Sequence, residues 1–168
     1  MNNDFFPSSD YKVPITSNYM RLVEGTNTFR VMSSAIVGWE YFSKDMKPVR
    51  NREPFEEYPT DIKVGGKVSH FWAFVVWNYE AKKIQVLELT QKSIMNPIES
   101  LVKNPKWGSP KGYDITITRK GTGLSDTEYN VVPEPHSDAP DEAVKNYEAL
   151  KINLDALYSN LDPFAKNV

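Results

Sequence analysis

Residues 70 to 79, HFWAFVVWNY, constrain this chain more than any other stretch: a continuous apolar run of strand length reads as a β-strand covered on both faces. After a turn at Glu80 to Lys83, KIQVLELT (83 to 90) alternates and returns as its hairpin partner. Upstream, YMRLVEG (19 to 25) and NTFRVMSSAIVGWEYF (27 to 42) are rich in β-branched and aromatic residues and predict a short and a long strand, with Gly38 marking a bend or bulge. Residues 43 to 67 carry three Pro and a Gly-Gly pair without sustained alternation, which predicts a long loop. From 91 to 104 the period becomes helical, with Ile94, Ile98, Leu101 and Val102 on one side. Asn96-Pro97-Ile98-Glu99 is itself a helix start signal, so this helix is either kinked at Pro97 or begins there.

GYDITITRK (112 to 120) and DTEYNVVP (126 to 133) predict a second hairpin, turning through Gly121-Thr122-Gly123. Asp138 can cap a last helix whose apolar positions are Ala143, Tyr147, Leu150, Leu154, Leu157 and Leu161. A helix between two hairpins is the element order of the OB-fold, a mainly β, five-stranded Greek-key barrel with a helix between strands 3 and 4; here a C-terminal helix is added. A plain β-sandwich would not need that helix, whereas an SH3-like barrel or an α+β sheet also accommodates it. The expected organisation is an extended arm over 1–18, an OB-fold domain over 19–136, and a C-terminal helix with a short tail over 137–168. A chain of 168 residues has room for one such domain and a substantial core.

Composition removes several classes. The chain has no Cys and two His, His70 and His136, so neither a disulfide framework nor a Cys/His zinc site can be built and no metal or cofactor is expected. No apolar run approaches the roughly 18 to 20 residues that cross a bilayer, and MNNDFFPSSDYK lacks the basic-then-apolar order of a signal peptide, so a cytoplasmic protein without a membrane partner is expected. A phosphate-binding P-loop, G-x-S-x-G, H-E-x-x-H and a thiol nucleophile are all missing from the sequence, which argues against an enzyme. Glu56-Glu57 reads as solvated loop surface, and His70 as a rim or core residue of its strand.

Charge is polarised along the chain. Residues 1–125 hold 17 basic against 13 acidic side chains, a balance of +4, and residues 126–168 hold 3 against 9, a balance of −6. A single strand bound without a sequence code needs cations for its phosphates and flat side chains for its bases. Lys44, Lys47, Arg50, Arg52 and Lys67 fall in or beside the long loop with Phe55 and Tyr58, and Trp39, Phe42, Trp72 and Phe74 lie on the strands it connects. Arg50, Arg52, Lys47, Lys67, Trp72, Phe74, Trp39, Phe42 and Tyr58 are therefore the candidate nucleic-acid-binding residues. Alternation puts Val37, Trp39 and Tyr41 on one face of their strand, and polar neighbours make the Trp72 face of the apolar run its wetter side. As charged loop residues, Arg50 and Arg52 have solvated surface as their alternative role. Trp107, beside Lys106 and Lys111, is either a cap over the barrel end or a second stacking site.

Three blocks, YMRLVEGTNTFRVMSSAIVGWEYF, FWAFVVWNYEAKKIQVLELTQKSI and NPKWGSPKGYDITITRKGTGLSDTEYNVVPEPH, resemble successive parts of tailed-bacteriophage single-stranded-DNA-binding proteins over about residues 19 to 136. The resemblance implies an OB-fold that binds single-stranded DNA with little sequence preference along its groove, with phage replication and recombination proteins as partners and the host-cell cytoplasm as its location. By position, Arg50, Arg52 and the FWAF strand would line that groove. Some proteins of this type carry a zinc insert, which a chain without Cys cannot form. Many single-strand binders also end in an acidic run closed by an aromatic; Asp162-Pro163-Phe164 resembles such a tip, but AKNV follows it. The competing reading is a non-catalytic protein-interaction or assembly module, with a peptide in the barrel groove and the C-terminal helix making a homo-oligomer.

Overall fold

A computed structural model describes residues 5, 7 and 8, 17–123 and 125–165. Seven strands form one antiparallel sheet: β1 (Gly25–Val31), β2 (Ile36–Phe42), β3 (Pro48–Asn51), β4 (Ser69–Asn78), β5 (Lys83–Leu89), β6 (Tyr113–Lys120) and β7 (Glu128–His136). Helix α1 (Lys92–Lys103) stands between β5 and β6, and α2 (Asp141–Leu150) follows β7. The expected mainly β chain with two helices is present, and its hairpins are β4–β5 and β6–β7. The expected barrel is not closed by pairing, because among the described residues no ladder joins β5 to β7. Nor is any helix of the described residues long and apolar enough to cross a membrane.

β4 is the hub. One edge is taken by β5 along 72–78; the other is shared end to end, by β2 against 69–73 and by β1 against 76–78. β1 and β2 thus form one strand interrupted at residues 32–35. The interruption has a local cause: the Ser33 hydroxyl accepts the Val75 N–H at 2.8 Å, while the Met32 N–H reaches the Val75 carbonyl. Gly38, expected at the bend, lies instead inside β2, where a Cβ would run into the Asn51 carbonyl and come within 3.0 Å of the Phe71 ring. Only glycine permits that approach.

Three further expectations are corrected. Residues 19–24 contribute a single bridge, Tyr19 to Val86, rather than a strand. The long loop contains β3, which pairs with β2 from Trp39↔Asn51 to Phe42↔Pro48; Pro48 stands at its first residue, where an edge strand tolerates a missing donor. The C-terminal helix ends at Leu150, because Lys151 turns left-handed at φ 49°, and the chain re-forms as a short 3-10 helix over Leu154–Ser159. Helix α1, for its part, starts before Asn96 and runs through Pro97.

Both faces of β4 are covered, by different layers. Phe74 and Val76 join Phe29, Leu87, Leu89, Ile115 and Ile117 under α1, which contributes Ile94 and Ile98. On the opposite face Phe71, Ala73, Val75 and Trp77 lie beneath the C-terminal segment, which brings Ala143, Tyr147, Leu154, Leu157 and Phe164. Phe164 of the tip-like Asp162-Pro163-Phe164 is therefore packed in, as are Ala143 and Tyr147 of α2, while Leu150 is exposed. Burying Leu157 alone is worth about 1.5–3 kcal/mol.

A fully buried arginine anchors where this layer departs. Arg30 of β1 pairs with Asp114 of β6 at 2.7 Å and donates to the Ser137 carbonyl and hydroxyl at 2.9 and 2.8 Å. The Tyr79 hydroxyl donates to the same carboxylate at 2.8 Å; burial, then that carboxylate, push its pKa up to about 12. Replacing Arg30 with Ala would strand Asp114 and free residue 137. Urea unfolding should show a loss of about 3 kcal/mol for Arg30→Ala, whereas a loss below about 1 kcal/mol would mean the anchor does not hold.

Candidate nucleic-acid interface

The residues singled out in the sequence separate into three environments. Phe42, Lys47, Lys67 and Tyr58 are exposed, on or after the β2–β3 ribbon, and the Lys63 ammonium lies 5.5 Å from the centroid of the Phe42 ring. Trp39 and Trp72 are half-buried on one face of β2 and β4, where the ladder sets Val37 opposite Trp72 and Trp39 opposite His70. The Trp39 and His70 rings are 4.8 Å apart, and His70 Nδ1 is buried without a hydrogen-bond partner among the described residues. Phe74, only 4% exposed, belongs to the core and cannot offer its ring to solvent.

Arg50 and Arg52 lie on the other face, and Arg50 is not a solvated loop residue. It stands on β3 with a side chain 8% exposed, between Glu40 of β2 at 3.2 Å and Glu88 of β5 at 2.9 Å, and it also donates to the Leu157 carbonyl. Arg52 pairs with Asp155 at 3.1 Å and sits 4.3 Å over the Tyr158 ring. The Tyr158 hydroxyl in turn donates to the Val37 carbonyl. Both guanidiniums are thus engaged by the chain's own acidic C-terminal segment or by its neighbours. Two carboxylates share one buried guanidinium, and burial, followed by the hydrogen bond and charge of Glu88, pushes Glu40 up to about 8 against the pull of Arg50.

A second place was not anticipated. Where β1 breaks from β2, a slot of about 350 Å³ opens between residues 33–37, the last turn of α1 and residues 109–111. Its floor is apolar, with Val31, Phe74, Ile98 and Ile115, and Trp72 forms a wall. Its polar lining is Ser33, Ser34, Glu99, Lys103, Ser109 and Lys111. Lys111 Nζ reaches across to Ser34 Oγ at 3.2 Å, and Lys103 pairs with Glu99 at 2.8 Å on an exposed helix surface. From Lys92 to Gly112 the sequence holds four lysines and one acid, Glu99, which was the available signal for this end. Trp107, partly buried, stacks on His136 at 5.4 Å and meets Tyr113 edge-on at 5.3 Å.

Comparison with protein-family models, curated proteins and solved structures returned no match to this chain.

The clasp makes a pH prediction. Glu40 keeps its proton in the folded state well above the ordinary 4.5, so its contribution to stability is full below that value and is lost as pH rises toward about 8. Thermal unfolding of the native chain should lose midpoint between about pH 5 and pH 8, and Glu40→Gln should flatten that loss. Equal slopes in the two proteins would contradict the assignment.

Proposed function

We propose that this chain binds single-stranded DNA without catalysis and with little sequence preference. In this reading it protects exposed strands during phage DNA replication, recombination or repair in the host-cell cytoplasm, alongside phage replication and recombination proteins. The supporting observation is the separation of charge across β4. One face is covered by residues 137–165, which hold six carboxylates against two lysines. Toward the other face opens the slot lined by Lys103 and Lys111 against Glu99, with Lys106 between them in sequence. A chain of net charge −2 attracts phosphates only through segregation of this kind. Beside the lysines, Trp72 and Trp39 supply flat, half-exposed rings along one strand pair, as binding of unpaired bases requires.

The strand path supports the same reading. Counting β1 and β2 as one interrupted strand, the order is β5, β4, β1–β2, β6, β7, with α1 between β5 and β6. That is the OB-fold order, and we read the sheet as an OB-type barrel whose inner side chains, Leu87 and Leu89 from β5 with Ile115 and Ile117 from β6, meet in one core.

Intrinsic fluorescence of the four Trp tests the proposal by titration with oligo-dT and with duplex of equal length, at low and moderate salt. Quenching by the single strand alone is expected. If three or four lysines each neutralise a phosphate, log affinity should fall with log salt at a slope of about −2 to −3. Replacing Lys106 and Lys111 with Gln together should make that slope shallower by about 1 to 1.5. Folded protein that responds to neither nucleic acid at low salt would defeat the proposal and favour a peptide-binding module.

A further inference from the structure

We propose that the slot between the β1–β2 break and the end of α1 is a nucleotide subsite: it receives one unstacked base against Trp72, with the flanking phosphates on Lys103 and Lys111. This rests on the single-strand reading above and assigns it a location away from the Arg50–Arg52 face.

Three features converge on a nucleotide. The size, about 350 Å³, lies within the roughly 300–1,000 Å³ of small-ligand pockets, and an apolar floor with few polar rim groups is their usual lining. A purely aliphatic ligand would use the floor and leave the lysines idle; a bare anion would use the lysines and leave the floor exposed. An anionic ligand with a flat, weakly polar face uses both. The two cations stand on different rim segments, Lys103 at the last turn of α1 and Lys111 in the turn before β6, as two phosphates on either side of an inserted base require. Neither cation is locked. The Lys103–Glu99 pair is more than half exposed on the lysine side, and among the described residues the Lys111 ammonium donates to a serine hydroxyl on an exposed surface, so either ammonium can turn to a phosphate at small cost.

The slot is also built rather than incidental. A continuous β1–β2 strand would close it, and the Ser33 hydroxyl prevents that by taking the Val75 N–H that a ladder would otherwise pair. A way out for the next nucleotide exists too. Val37, 47% exposed, lies directly opposite Trp72, and the next pair on the same face is Trp39 with His70. A strand leaving the slot would meet Trp39 as its next flat surface.

The test is fluorescence anisotropy with end-labelled oligo-dT and with an abasic strand of the same length, which keeps the phosphates and lacks the bases. Native protein should bind oligo-dT at least about tenfold more tightly than the abasic strand. Ala35→Leu narrows the mouth from an exposed position, and Trp72→Leu removes the flat wall. Each should weaken oligo-dT binding about tenfold and leave abasic binding unchanged, while Trp72→Phe should restore most of it. Thermal unfolding checks that Ala35→Leu is folded. Oligo-dT binding that neither variant alters, or equal binding of both strands by native protein, would overturn the subsite and leave single-strand binding standing. No binding of oligo-dT by native protein would overturn both.

Discussion

Burial of β4 on both faces is the constraint from which the rest of this structure follows. A strand whose alternate residues, Phe71 to Trp77 and Phe74 to Val76, are all apolar cannot stop at one layer of cover. α1 supplies the first layer. The second comes from the C-terminal segment, anchored where Arg30 holds Ser137 and filled by Leu154, Leu157 and Phe164. Because that segment is acidic, solving the packing problem on one face also places negative charge there. The lysines of the α1 end are left facing the other way, beside the opening that the β1–β2 break creates.

The clasp around Arg50 shows how a residue's role changes with its neighbours. In a solvated loop an arginine flanked by Lys47 and Arg52 would be available to phosphates. On β3 it is held between Glu40 and Glu88 beneath the Leu157 carbonyl, where withdrawing the guanidinium would leave buried carboxylates without compensation. Burial and the Glu88 carboxylate push the Glu40 pKa up to about 8 against the pull of Arg50. The clasp ties β2, β3, β5 and the 154–159 turn together. Arg52 repeats the theme more loosely, with Asp155 and Tyr158 at the surface.

Much of the fold was legible because its signals are local. The apolar run of β4, the alternation of β5 and β6 and the 3.6-residue period of α1 each lie within one segment. β3 was hidden because it is four residues long, begins with Pro48 and takes its register entirely from β2. The break between β1 and β2 was misplaced onto Gly38, since nothing in the sequence announces that Ser33 will capture the Val75 N–H forty-two residues away. The same limit applies to the candidate site. Alternation sets Trp72 on the wetter face of its strand but gives Trp39 the apolar company of Val37 and Tyr41, Arg50 finds partners 10 and 38 residues away, and the slot draws on 31–37, 72–74, 98–103, 109–111 and Ile115. The excess of lysines from 92 to 112 is visible in the sequence; that two of them, Lys103 and Lys111, line the same opening as Trp72 is not.

The central claim is that β4 divides the molecule into a self-covered acidic side and an open, lysine-rimmed side that takes single-stranded DNA. Hydrogen–deuterium exchange of the full chain with and without saturating oligo-dT addresses it directly. The account predicts slower exchange over residues 32–39 and 98–112 and no change over 141–159. Protection confined to 141–159 and the β3 segment, with 98–112 unaffected, would place the strand on the covered face and contradict it.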